Sequence, residues 1–349
     1  MNGAVKSDQA IRDPASPPRR SLPVRLLKAV GWLAINLVVA FVLLEVIVRA
    51  TDPMGISYYP ETARLMEDVL QLEEPIGYRL KPGVEGTFHG ASVRVNTLGL
   101  RGPEIAERPA EGEFRILVLG DSVVFGIGVN AEDSIPGQLE AVANRSQAGA
   151  RRYVAVNMGV PSYNTEQELL QFSDVGLRLR PSLVILMFDS NDIEPRMWVF
   201  QRRASGVANL GQRSYALSLL FAVRRMVSER VTGTSSRIAY TAYEPDHPRW
   251  LAIDDSMTRI NQLSRQAGIP FVVFEREEHD SASQRLLRGL AKREGFAMIS
   301  LRALFEPYRD ARDPLKYQNS AIDGHFNKAG SELIARLMYQ QLVALGALR

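Results

Sequence analysis

The sequence predicts an α/β protein, a three-layer α/β/α sandwich on a mainly parallel central sheet, preceded by one N-terminal transmembrane helix. Three observations predict it. Ile116-Leu117-Val118-Leu119 is apolar at every position, as a central parallel strand covered on both faces must be, and Gly120 ends it. Tyr153 to Met158 and Leu183 to Phe188 are two more strand-like runs, closed by Gly159 and by Asp189-Ser190-Asn191-Asp192. Finally, Ala29 to Val48 reads AVGWLAINLVVAFVLLEVIV, about twenty residues whose helical length matches the hydrocarbon core of a bilayer.

Taken from the N-terminus, residues 1–28 form a basic tail. Lys6, Arg12, Arg19, Arg20, Arg25 and Lys28 face only Asp8 and Asp13 there, although the net charge of the whole chain is only +3. The excess belongs to the tail, so a nucleic-acid surface on the folded body is poorly supported. Residues 29–48 follow as a membrane anchor, with Asn36 near the middle, and Glu45 spaced to pair with Arg49 at the far interface. A cleaved signal peptide and a buried soluble helix are the other readings. The anchor is preferred because the apolar run exceeds a usual signal core and Arg49 is a poor neighbour for a cleavage site. With the basic flank before the span, the positive-inside bias keeps the N-terminus cytoplasmic and puts the C-terminal domain outside. The absence of cysteine fits export without proving it.

Residues 51–110 read as a stalk and small β-containing lead-in. Its turns include Asp52-Pro53 and Gly77 to Gly83, and Val93 to Gly102 reads as a short strand followed by a loop. The α/β domain spans 111–349, and a hydrophobic content of 46% over the chain is ample for its core. An irregular insert around 196–245 holds a helix at Tyr215 to Arg224 and a loop at Thr232 to Ser236, a place for substrate contacts or a lid, with a packing helix as the default reading. After it, a helix is expected from Trp250 to Ala267, strands at Pro270 to Phe274 and Phe296 to Leu301, and an amphipathic terminal helix through Ser331 to Met338.

Chemistry-bearing residues gather at the strand ends. If the strands lie parallel, Ser122, Gly159 and Asn191 converge at one sheet edge, where ligands of open α/β sheets bind. A serine hydroxyl is a poor nucleophile at neutral pH and needs a base and donors for an oxyanion. Gly159 offers a closely approaching N–H, Asn191 a neutral amide, and Asp323-Gly324-His325 the remaining parts of a nucleophile site. Gly-Asp-Ser alone is an ordinary turn, and so are the Gly159 and Asn191 loops. Their joint order after the right kinds of segment carries the signal.

With Ser, Gly, Asn and His in this order, residues 95–345 resemble the SGNH hydrolases, a superfamily often named for its GDSL motif, in the membrane-anchored bacterial form. The resemblance implies an SGNH-type, flavodoxin-like sheet and an acyl-enzyme mechanism. In it Ser122 is the nucleophile, His325 the base, Asp323 the acid, and Ser122, Gly159 and Asn191 the oxyanion hole. Three departures stand out: Val123 replaces the usual leucine, Asp189 a common glycine, and Ile322 the usual acid three residues before the histidine. Asp323 is then the substitute, a spacing also met in relatives that O-acetylate bacterial polysaccharides.

The expected activity is therefore ester hydrolysis on an ester or acylated carbohydrate. O-acyl transfer to an envelope polysaccharide is the alternative, and non-catalytic carbohydrate binding or scaffolding a further one. The triad does not choose the acyl acceptor; pocket shape and water exclusion do. No metal or cofactor is expected: cysteine is absent, the four histidines lack ligand spacing, and Gly126-Ile127-Gly128 lacks the third glycine of a dinucleotide loop. Asp121 and Asp192 are expected to tie down their own loops, and His89, His247 and His279 to be structural or solvent-facing.

Overall fold

The computed structural model describes residues 22–146, 151–197, 213–232, 243–277 and 281–348. Leu22–Thr51 forms one helix, α1, with Pro23 in its first turn, where a missing N–H has little cost. Leu33, Leu37 and Val42 stand exposed along it, and it is long and apolar enough to cross a membrane. Asn36 donates its amide to Trp32 O at 2.7 Å, so the one polar side chain in mid-run is satisfied within the helix. The chain divides into two compact units, Met1–Ile47 and Val48–Arg349.

The second unit opens with a helix that the reading of residues 51–110 did not anticipate, α2 (Tyr58–Val69). It buries Leu65, Met66 and Val69, each worth about 1.5–3 kcal/mol. Two antiparallel hairpins follow, β1 (Leu70–Glu73) with β2 (Gly77–Leu80), and β3 (Glu85–Phe88) with β4 (Ala91–Arg94). His89 and Gly90 make the two-residue turn of the second hairpin, at φ 51° and 74°, the positive pair that a tight hairpin with right-handed twist requires. The core of this segment is shared: Leu65, Val69, Tyr78, Leu80 and Phe88 pack with Phe125, Ile127, Val160 and Tyr163.

The sheet holds β5 (Glu113–Leu119), β6 (Arg152–Asn157), β7 (Leu183–Phe188), β8 (Phe271–Glu275) and β9 (Ala297–Ser300). Its order is β6-β5-β7-β8-β9, and every neighbouring pair is parallel. Along β5 the side chains alternate between two apolar layers. Leu117 and Leu119 join Trp250, Met257 and Ile260 on one face; Ile116 and Val118 join Leu139, Ile334 and Met338 on the other. The uninterrupted apolar run thus reflects cover on both sides.

Short α3 (Ser122–Phe125) follows β5, and α4 (Ile135–Ser146), α5 (Thr165–Gln171), α6 (Tyr215–Thr232), α7 (Pro248–Gln266), α8 (Ala282–Glu294), α9 (Leu301–Phe305) and α10 (Lys328–Ala344) complete the layers. In the insert, α6 runs beyond the expected helix, and the loop after Thr232 lies outside the described residues. From β5 the chain adds β6 on one side and then β7 on the other. This reversal marks the carboxyl ends of the strands where ligands of open α/β sheets bind, and Ser122, Gly159 and Asn191 follow their strands there.

Candidate active site

The turn after β5 is shaped so that Ser122 opens α3. A Cβ on Gly120 would lie 2.3 Å from Val124 Cγ2, which excludes a side chain there. Asp121 caps the helix by accepting the Val123 N–H at 2.8 Å. Its other oxygen accepts the Asn191 amide at 2.9 Å and faces Ser122 Oγ at 3.3 Å. Asp121 thus ties down its own loop, as expected, and also joins it to the Asn191 loop. Val123 is buried in the layer behind the serine.

The far end of α3 is held from the lead-in. Arg101 is buried, its guanidinium donating to Phe125 O, to Gly126 O at 2.6 Å and to Val129 O at 2.5 Å, with its plane over the Phe125 ring. Burial pulls its pKa down to about 10, still charged at neutral pH. Asn157 adds its amide on Val124 O at 2.8 Å. The sequence reading passed over Arg101. No local pattern marks it, because Arg94, Asn96 and Thr97 stand nearby and only the fold turns Arg101 inward.

Gly159 is required by the close approach of α3. A Cβ there would lie 2.1 Å from Phe125 N, so the glycine lets β6 approach the backbone of α3. Its N–H donates to Asn157 Oδ1 at 2.9 Å. Asn191 lies in a single turn, Ser190–Ile193, where Asp189 accepts the Ser190 N–H at 2.7 Å and Asp192 accepts the Asp189 N–H at 3.1 Å. Asp189, which stands where glycine is common, also pairs with Arg276 at 2.6 Å. The departure therefore serves as a loop anchor.

Asp323 and His325 sit on the loop before α10. His325 Nε2 lies 2.8 Å from Ser122 Oγ, and Nδ1 lies 2.6 Å from Asp323 Oδ1. A carboxylate facing Nδ1 keeps the proton on that nitrogen and leaves the Nε2 lone pair toward the serine. Asp323 also accepts the His325 N–H at 3.0 Å and the Asn319 amide at 2.9 Å, while its own N–H donates to Ser320 Oγ at 2.9 Å. Burial pushes the Asp323 carboxyl up, but the hydrogen bonds and charge of His325 together with the Asn319 amide outweigh it, so its pKa is lowered. The side chains are 14% and 6% exposed for His325 and Asp323, sheltered yet reachable. Such a chain of bonds can draw the proton from Ser122 as the oxygen attacks a carbonyl.

The lead-in also reaches this loop. The Tyr58 ring lies 6.0 Å from the His325 ring, and the His89 ring 5.6 Å from Tyr58. Burial holds His89 neutral, with its pKa lowered to about 4. No local pattern marks either residue, because only the tertiary fold brings them here. His247 instead caps α7 through Nδ1 and the Arg249 N–H, and His279 lies outside the described residues. Among the described residues no three His, Asp or Glu side chains group as metal ligands.

The sequence profile of the GDSL-like lipase/acylhydrolase family matches residues 118–333. Among solved structures, an acetyl xylan esterase is 15% identical, with a TM-score of 0.42 over 66% of this chain and 100% of its own. The lipase/acylhydrolase from Enterococcus faecalis is 12% identical, with a TM-score of 0.41 over 66% and 96%. An α/β hydrolase enzyme from the metagenome of Lake Arreo is 17% identical, with a TM-score of 0.43 over 68% and 96%. No curated protein matches the chain. The profile match alone spans more than half of the sequence, with Ser122 near its start and His325 near its end, and by it the chain belongs to the GDSL-like lipase/acylhydrolase family, hydrolases that act on esters.

Proposed function

We propose that the chain is a serine esterase working outside the cytoplasmic membrane through an acyl-enzyme. Ser122 attacks the ester carbonyl while His325 takes its proton and Asp323 holds the imidazole tautomer. His325 then returns the proton to the leaving alcohol, and water activated by the same histidine frees the acid. The Ser122 and Gly159 N–H groups and the Asn191 amide stabilise the oxyanion. Asn191 keeps a second N–H beyond the one on Asp121, whereas Gly159 must share its N–H with Asn157. The single observation that carries this reading is the unbroken chain from Ser122 Oγ through both His325 nitrogens to Asp323. The export half rests on the basic residues before the apolar helix.

Ser122→Ala should reduce hydrolysis of p-nitrophenyl acetate by on the order of a thousandfold or more and abolish fluorophosphonate labelling, with the melting temperature preserved. Near wild-type turnover in that variant would remove the mechanism.

A further inference from the structure

We propose that Tyr58, on α2 and outside the family-matched segment, is a positioning residue for His325, and that the lead-in is therefore a working part of the site. The inference rests on the reading of His325 as the base of Ser122.

Two hydrogen bonds lie in the plane of the His325 ring, one at each nitrogen. They fix the ring along their common line, but neither resists tilting about it. A ring packed beside it does. Tyr58 supplies one, with ring centroids 6.0 Å apart and planes 39° apart, a contact distance at which aromatic rings attract.

Tyr58 is itself held from behind. His89 packs on it at 5.6 Å, and Thr62, one helical turn along, faces His89 Nε2 at 3.2 Å. The backbone N–H of His89 donates to Glu61 Oε2 at 3.1 Å, and Glu61 is paired with Arg64 at 2.7 Å. His89 also sits at φ 51°, in a turn position where glycine or asparagine is the relaxed choice. A histidine in left-handed backbone is a local strain of about 1 kcal/mol or more, and the ring it delivers against Tyr58 is what the strain obtains.

A second contact reaches the same loop independently. A Cβ on Gly55 would lie 2.2 Å from Ser320 Oγ, so the Pro53–Gly55 turn sits directly against the hydroxyl that accepts the Asp323 N–H. Asp52 fixes that turn by accepting the Ser57 N–H at 2.8 Å and the Ser57 hydroxyl at 2.7 Å. Asp52 to Tyr58 thus presses on both the histidine ring and the loop that carries Asp323.

The test measures the rate of fluorophosphonate labelling of Ser122 and the hydrolysis of p-nitrophenyl acetate in the full-length protein. Tyr58→Leu, which removes the planar face, should lower labelling and kcat by roughly tenfold or more, with KM within about threefold, because small displacements of a reacting group cost rate rather than affinity. Tyr58→Phe, which keeps the face, should restore both. If the Leu variant does not fold, Tyr58→Met, which keeps bulk without a planar face, decides by the same labelling rate. Wild-type labelling in folded Tyr58→Leu or folded Tyr58→Met, or a loss confined to KM, overturns the inference. An unlabelled wild-type protein would instead be a failure of the underlying reading of Ser122 and His325.

Discussion

Behind Asn191, Glu168 is fully buried with neither carboxylate oxygen hydrogen-bonded, and Asp192 has one oxygen in the same condition. Burial raises both carboxyls well above their ordinary values, the charge of Glu168 raises Asp192 further, and that of Asp121 raises both. A carboxyl whose folded pKa is raised binds its proton more tightly in the native state. Its stabilising contribution is complete below the unfolded value of about 4.3 and is lost as pH rises toward the folded value. Glu168→Gln, which keeps shape and removes the charge, should therefore match wild type near pH 4. Above that it should gain stability at up to about 1.4 kcal/mol per pH unit until the folded carboxyl ionises. Denaturant melts at pH 4, 6 and 8 check this, and a difference that shrinks with pH would show that the carboxylate has a partner. Residue chemistry of this kind was only partly legible in sequence. Ser122 and Asn191 were visible because each follows a recognisable strand, and His325 because it precedes an amphipathic helix, whereas the approach of the α3 backbone to Gly159 is encoded in no local pattern.

Helix α3 is a single turn, too short to persist by its own hydrogen bonds. It endures because Asp121 accepts the Val123 N–H and Arg101 donates to the carbonyls of Phe125 and Gly126. Arg101→Met retains the packing over Phe125 but leaves the carbonyls of Phe125, Gly126 and Val129 short of donors in a buried setting. The expected loss is about 3 kcal/mol or more, with esterase activity falling as the serine turn loosens. Urea unfolding measures the first and p-nitrophenyl acetate turnover the second; an unchanged midpoint would mean that Asn157 or water can replace the guanidinium. The three central strands β5, β7 and β8 were legible because burial on both faces writes itself as continuous apolar runs. Helix α2 was not, since Leu65, Met66 and Val69 are sparse among polar residues and gain their cover from Phe125, Val160 and Tyr163 far along the chain.

Across the whole molecule the compact unit starts at Val48, which is buried, so the end of the apolar run in sequence is not the end of its structural use. A chain beginning at Val48 should be soluble and react with fluorophosphonate like the full protein, whereas one beginning at Glu61 lacks Asp52 to Tyr58 and should label roughly tenfold more slowly or aggregate. Equal labelling of the two would make the segment dispensable. Alkaline phosphatase fused after residue 60 should be active if the domain is exported, and inactivity would reverse the proposed orientation. The shared core of the lead-in carries a further consequence, for the order of events during synthesis. Leu65, Tyr78, Leu80 and Phe88 leave the ribosome before Phe125, Val160 and Tyr163, the residues that cover them. At about 5–20 residues per second the apolar faces of α2 and its hairpins wait several seconds for their partners. After the apolar run of residues 29–48, the newborn lead-in is thus the next stretch that a holding chaperone would meet, and its sticky interval is set by the pace of translation.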